Sequence, residues 1–258
     1  MAKKCAFCTR PADSPEHVFS QWMLDLLPPN ERYVCNERLF SRDEYIQYQR
    51  RKIKIVAKVV CTPCNNNWMS NLEGRLKPIL QDVFLNELPT TFGHTDLATI
   101  AAFAFKTTVL ANHKDLKSTP FFSAAERFRF RRQLRIPDGV QVWMASRRET
   151  IAGKYHGFWK SAQGKSEKYF GYGFANYICT WNFQNVVLQI VATKWQDKRR
   201  RNTVPPFAFP EDDYWKQASV LIWPLPPTAI QWPPIFYLGN STLFKFRDRW
   251  DTIRIRLR

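Results

Sequence analysis

The stretch Lys52-Ile-Lys-Ile-Val-Ala-Lys-Val-Val60-Cys61-Thr-Pro-Cys64-Asn65-Asn-Asn-Trp68-Met-Ser-Asn-Leu72-Glu-Gly-Arg-Leu76 changes character twice. Up to Val60 it is rich in β-branched residues and reads as a strand, Lys52–Val60. From Trp68 the apolar residues fall at Trp68, Leu72 and Leu76, one face of a helix that Pro78 is expected to end or kink. Between strand and helix stands Cys61-Thr-Pro-Cys64, and an earlier pair, Cys5-Ala-Phe-Cys8, matches it. A CxxC turn aims two thiolates at one point, and two such turns complete a tetrahedral zinc site. The gap between the pairs is longer than a compact zinc ribbon has, so separate redox pairs or unliganded thiols stay open beside structural zinc. Cys35 and Cys179 have no such partner and read as buried apolar side chains.

Working outward, Glu16-His17-Val18 follows the first cysteine pair and Asn65 directly follows the second. If one metal ties the two pairs, Asn65 comes near Glu16 and His17. A carboxylate and an amide oxygen suit Mg²⁺. A neutral imidazole suits the activation of water. Together they are the parts of a one-metal phosphodiester hydrolase. Asn65 has a second reading, as the N-cap of the Trp68 helix. The order of knuckle, Glu-His segment, strand, knuckle and helix is that of a treble-clef zinc fold.

On Cys5-Ala-Phe-Cys8, Glu16-His17-Val18-Phe19 and Cys61-Thr-Pro-Cys64-Asn65 the chain resembles the HNH, or His-Me finger, endonucleases. The motif order is that of the recombination endonuclease VII type. The CxxCNNxWMxxLE segment also looks like a group of bacterial and phage HNH-like proteins. The resemblance covers residues 1–78. It implies that His17 is the general base, that Glu16 and Asn65 hold a catalytic Mg²⁺ or Mn²⁺, that Cys5, Cys8, Cys61 and Cys64 hold structural Zn²⁺, and that the substrate is DNA. By analogy it implies a setting in phage biology or anti-phage defence. Met69 stands where the fuller motif has its final His, and the stretch between His17 and Cys61 requires an insertion.

The rest of the chain is read from composition and pattern. Of 258 residues 45% are hydrophobic and 15% aromatic, which excludes a wholly disordered chain, and 9 Gly exclude a collagen-like one. The net charge of +17 points to a polyanionic partner. Residues 1–92 hold 13 Lys/Arg against 10 Asp/Glu, and residues 93–258 hold 26 against 12. We therefore expect a site-bearing domain over 1–92 and a basic α+β domain over 93–258, divided near Asn86–Thr95. The expected elements are helices at Ser20–Leu27, Leu97–His113 (capped by Thr95 or Asp96) and Ser123–Arg135, then strands at Val140–Ser146, Tyr169–Thr180, Val186–Thr193 and Ala218–Trp223. Pro205–Pro210 and Pro224–Pro234 read as extended loops.

Three basic clusters fit phosphate contacts: Arg127, Arg131 and Arg135 at helical spacing, Lys198-Arg199-Arg200-Arg201, and a C-terminal group with Arg254, Arg256 and Arg258 on one strand face. The strand-borne tryptophans read as core. No apolar run is long enough to span a membrane, and no secretory leader is evident, so the expected setting is cytoplasmic, with reduced thiols. The sequence thus supports an α+β zinc-finger endonuclease acting on DNA. The alternative is a non-catalytic zinc-finger protein that binds DNA or RNA.

Overall fold

In a computed structural model the chain is a mixed α+β fold built on antiparallel sheets, described over residues 3–26, 33–39, 44–50, 56–86, 89–114, 120–148, 157–163, 174–195 and 213–248. Strand β1 (Ser14–His17) and helix α1 (Gln21–Asp25) precede a hairpin of β2 (Tyr33–Leu39) and β3 (Glu44–Arg50), and β4 (Val56–Val60) follows. Helix α2 (Thr62–Cys64), a π-turn (Asn65–Met69) and α3 (Ser70–Asn86) form one helical run. Next come β5 (Thr90–Phe92), α4 (His94–Lys114) and α5 (Ala124–Gln133). The remainder is β6 (Val140–Ser146), β7 (Gly157–Gln163), β8 (Phe174–Phe183), β9 (Val186–Trp195), α6 (Asp213–Ala218), β10 (Ser219–Trp223), β11 (Ile230–Trp232) and α7 (Asn240–Asp248).

Five strands in the order β10-β6-β9-β8-β7 make the main sheet, every pair antiparallel. Strand alternation divides its side chains between two apolar layers. Val142, Met144, Cys179, Trp181, Leu188 and Ile190 join one cluster, while Trp143, Ala145, Ile178, Val187 and Val191 join the other with Trp215, Leu243 and Phe246. A sheet covered on both faces needs no polar side, so β9 is buried from Val186 to Thr193. Its one amide, Gln189, is satisfied internally, donating to Thr180 Oγ1 at 2.9 Å and the Phe246 carbonyl at 3.1 Å.

Helix α4 lies between this sheet and the N-terminal elements, packing on β9 and β10 and on α3 and β4. It is buried on every side from Ile100 to Asn112, the pattern of a helix inside a core rather than on a surface. It begins at His94, one turn ahead of the apolar pattern. Asp96 caps it from within the first turn, where Oδ2 accepts from the Gly93 N–H at 3.0 Å. One apolar cluster runs from Cys5 through α4 to Trp232, so residues on both sides of position 92 share a core.

Several expectations are corrected. Pro78 does not end its helix: α3 continues to Asn86, with Leu72, Leu76 and Leu80 fully buried along one face. That burial, about 1.5–3 kcal/mol per side chain, outweighs the roughly 3 kcal/mol cost of an interior proline. Helix α5 stops at Gln133 because Leu134 takes a left-handed conformation, φ 51°, and so Arg135 lies beyond the helix. Its start is a full capping box between Ser123 and Glu126. The Pro224–Pro234 stretch is not all loop: β11 pairs with β5, and Ile230 and Trp232 are buried against Phe92 while Gln231 is exposed. The strand expected at Tyr169–Thr180 runs on to Phe183, with β8 described over Phe174–Phe183, and residues 169–173 lie outside the described ones. The hairpin β2–β3 fills the predicted insertion.

Aromatic rings join the first cysteine knuckle to the helices. Phe130 of α5 lies 6.4 Å from Phe7, 5.7 Å from Trp68 and 4.7 Å from Phe105, ring centre to ring centre. Replacing Phe130 by Ala removes a fully buried ring from this junction. The expected cost is about 3–5 kcal/mol, read as a lower midpoint in urea unfolding with an unchanged slope.

Candidate metal centre and the Glu16 site

The first knuckle is a small hairpin, with the Cys5 N–H on the Arg10 carbonyl at 2.8 Å and the Ala12 N–H on the Lys3 carbonyl at 2.8 Å. It is laid against β4 by the Ala6 N–H, which donates to the Val59 carbonyl at 2.7 Å. The second knuckle is the start of the helical run. Cys61, with φ −95° and ψ 152°, is its N-cap, and its carbonyl accepts from the N–H groups of Cys64 and Asn65. Asp13 closes the gap between them: its Oδ1 accepts from the Thr62 N–H at 2.7 Å and from Thr62 Oγ1 at 3.1 Å.

These interactions bring the sulfurs of Cys5, Cys8, Cys61 and Cys64 within 4.8 Å of one another, all four residues buried. Cys8 Sγ is 3.5 Å from Cys61 Sγ and 3.8 Å from Cys64 Sγ. Sulfurs on a tetrahedral zinc ion with bonds of ≈ 2.3 Å stand about 3.8 Å apart. The cluster is therefore of a size and composition that can hold a metal ion such as zinc. The charges agree. Hydrogen bonding from the Cys64 thiol holds Cys5 down to about 5, while Cys5 in turn pushes Cys64 up and burial pushes Cys61 up. One thiolate forms readily, and four need a cation among them.

Arg127 serves this knuckle. Its guanidinium turns inward, donating from Nη1 to the Ala6 carbonyl between Cys5 and Cys8 and from Nε to the Phe122 carbonyl at 3.0 Å. Two of its donors are thus held by protein carbonyls. Arg131 is half-buried on α5, and Arg135 is exposed, 3.8 Å from Asp138. Lys198, Arg199, Arg200, Arg201, Arg254, Arg256 and Arg258 lie outside the described residues.

Beside the cysteines, β1 runs antiparallel to β4, with Glu16 opposite Ala57 and His17 opposite Val56. Ala57 is buried and Val56 is 37% exposed, so the two faces of this ribbon differ. Glu16 lies on the inner face and His17, half-buried, on the other. Asn65 is brought to the inner face. Its amide donates to Ser14 Oγ at 2.9 Å and to the Pro15 carbonyl at 3.3 Å, which holds it close enough to the Glu16 carboxylate to favour its charged form. It is not the helix N-cap, a role that Cys61 takes, while Asn66 and Asn67 are exposed. The fold therefore brings Glu16 and Asn65 together and sets His17 across the strand from them.

The group that pattern reading misses is Lys106. It is fully buried in α4, and its Nζ donates to Glu16 Oε1 at 3.2 Å and to Glu73 Oε1 at 2.5 Å. Burial opposes its charge, but Glu73 and Glu16 together more than offset this and hold the ammonium above its usual range. Burial raises the Glu16 carboxyl, with the second carboxylate, Glu73, adding to it against the pull of Lys106. The sequence signal is the one lysine interrupting an apolar helix, but nothing in the spacing points to its partners.

Comparison of the chain with protein-family models, with curated proteins and with solved structures returns no match. Among the described residues no helix is long and apolar enough to cross a membrane.

The purified chain is expected to carry one metal ion, zinc foremost, by elemental analysis, and Cys61→Ser is expected to lose it. Arg127→Met should keep the four thiolates yet release the ion to a competing chelator about 10-fold more readily, the scale of outer-shell effects on metal affinity. Equal chelator curves for the variant and the parent chain would remove Arg127 from the centre.

Proposed function

We propose that the chain is a zinc-organised endonuclease of the HNH type, acting on DNA inside the cell. The observation that carries this reading is that Asn65 is hydrogen-bonded to Ser14 and Pro15 of β1, immediately before Glu16 and directly beside the four-cysteine cluster. That is the juxtaposition the motif order demands. The run of first knuckle, antiparallel β1 and β4, second knuckle and helix also supports a treble-clef finger.

In this reading zinc on Cys5, Cys8, Cys61 and Cys64 supplies no chemistry at the phosphate. It fixes the two knuckles and so the entry to β1. His17, at the end of the β1–β4 ladder, takes the proton from the attacking water. Basic side chains of the following domain hold the phosphate backbone without reading sequence. The divalent ion that the resemblance implies for Glu16 and Asn65 would meet a carboxylate already engaged by Lys106.

A second reading has a specific observation in its favour. Glu16 is tied to a buried ammonium, and His17 lies across the strand from it. A finger that keeps the fold but not the reaction, and binds DNA or RNA, fits both facts.

The deciding experiment is cleavage of supercoiled plasmid, with and without Mg²⁺ or Mn²⁺, beside His17→Ala. The nuclease reading expects nicked and linear product from the parent chain and at least a 100-fold loss in the variant, about the low end of what a general base contributes. Retardation of the plasmid on the gel without cleavage by either protein would replace it with the binding reading.

A further inference from the structure

Lys106 is a charged group in the described core whose place packing alone does not explain. It sits at 0% exposure among the buried Phe103, Ala104, Phe105, Val109 and Leu110, with the buried hydroxyls of Thr107 and Thr108 beside it on the helix. Apolar replacements of a buried ion pair are often neutral or stabilising, so stability is a poor reason to keep a lysine there. Its ammonium does not reach for solvent. It points to the carboxylates of β1 and α3, 3.2 Å from Glu16 and 2.5 Å from Glu73, with the Phe103 ring 4.8 Å away. Asn65, the remaining polar neighbour of Glu16, turns its amide N–H groups toward β1. The donor set around Glu16 is thus arranged for a carboxylate that accepts hydrogen bonds, not for one that shares a metal with an amide oxygen.

We propose that Lys106 is the resident cation of this site. Its ammonium holds the position on Glu16 that the HNH resemblance would give to a divalent ion, and Glu16 consequently takes no such ion in this chain. The inference rests on reading Glu16 as the family's metal position. Three observations carry it: the carboxylate is 7% exposed, one of its oxygens faces an ammonium at hydrogen-bond distance, and that ammonium is itself clamped by a second carboxylate from another element. A divalent ion on Glu16 would lie against a fixed like charge in a dry interior that screens it poorly. Lys106 is a positioning residue here: at 0% exposure it orients Glu16 and Glu73 from inside the fold and balances one of their two charges.

The test reads metal binding and not cleavage, so it can fail independently of the nuclease reading. Mn²⁺ is titrated into the zinc-loaded full chain and followed by electron paramagnetic resonance of the free ion. The parent chain and Glu16→Gln are expected to give the same curve, with no site that depends on Glu16. Lys106→Met keeps the length of the stem and removes the charge. It is expected to gain one Mn²⁺ equivalent bound at least 10-fold more tightly than any site of the parent, and Lys106→Met/Glu16→Gln to lose it. One equivalent bound by the parent and lost in Glu16→Gln overturns the proposal. So does a folded Lys106→Met chain that takes up no Mn²⁺, since the ammonium would then not be what excludes the ion. Should Lys106→Met fail to fold by circular dichroism, the comparison of parent with Glu16→Gln still decides.

Discussion

A positive charge in the described core constrains the elements packed around it. An ammonium removed from water is tolerable only where carboxylates meet it, and Lys106 finds two, from β1 and from α3. Three elements distant in sequence are thereby fixed against one another. Removing the ammonium would leave the carboxylates of Glu16 and Glu73 facing each other with no counter-charge, which costs several kcal/mol, whereas trimming one methylene from an apolar side chain at the same place would cost less. Helix α4 can be buried on all sides because this one charge is answered, and with α4 in place the main sheet has something to pack on.

The cysteine cluster is the second constraint, and it acts on the ends of the same elements. Its knuckles are set by backbone hydrogen bonds to β4 and by Asp13, and its sulfurs converge without help from the main sheet. The aromatic junction of Phe7, Trp68, Phe105 and Phe130 carries that arrangement into α4 and α5. The position of Asn65 beside Glu16 follows from both constraints at once. The second knuckle fixes where the helical run begins, and the π-turn that opens on Asn65 fixes where that residue points.

What can be read from the sequence is what is local. The two CxxC turns, the strand into Cys61, the buried faces of α3 and α4, and the strands read at Val140–Ser146 and Val186–Thr193 all carry their period or their turn chemistry in consecutive residues. Long-range pairings escape. Ile230–Trp232 looks like part of a proline loop because its partner, β5, lies far earlier in the chain and is itself only three residues long. The hairpin strands carry Asn36, Glu37, Arg38, Gln47 and Gln49 and lack the β-branched run that marks β9. Arg127 looks like a surface cation from its spacing, but its guanidinium donates to the carbonyls of Phe122 and of Ala6, the latter 121 residues earlier in the chain. Lys106 is visible as an interruption, while Glu16 and Glu73 are invisible as its cause. The four cysteines are legible because metal-binding turns repeat a signature, and salt bridges have none.

The hairpin of β2 and β3 departs after α1 and returns at β4, with β2 packed beside β7 at the edge of the main sheet. The residues that flank the whole excursion, His17 and Val56, are paired across one ladder. The chain thus goes out and comes back through a single narrow doorway. Loop-closure cost grows only with the logarithm of length, so the excursion can be lengthened at little thermodynamic penalty, while exchanging the hairpin itself would give up its packing on β7. That makes the connection between β2 and β3 a natural graft point, a place where a reporter can be inserted while the knuckles and the buried lysine keep their geometry.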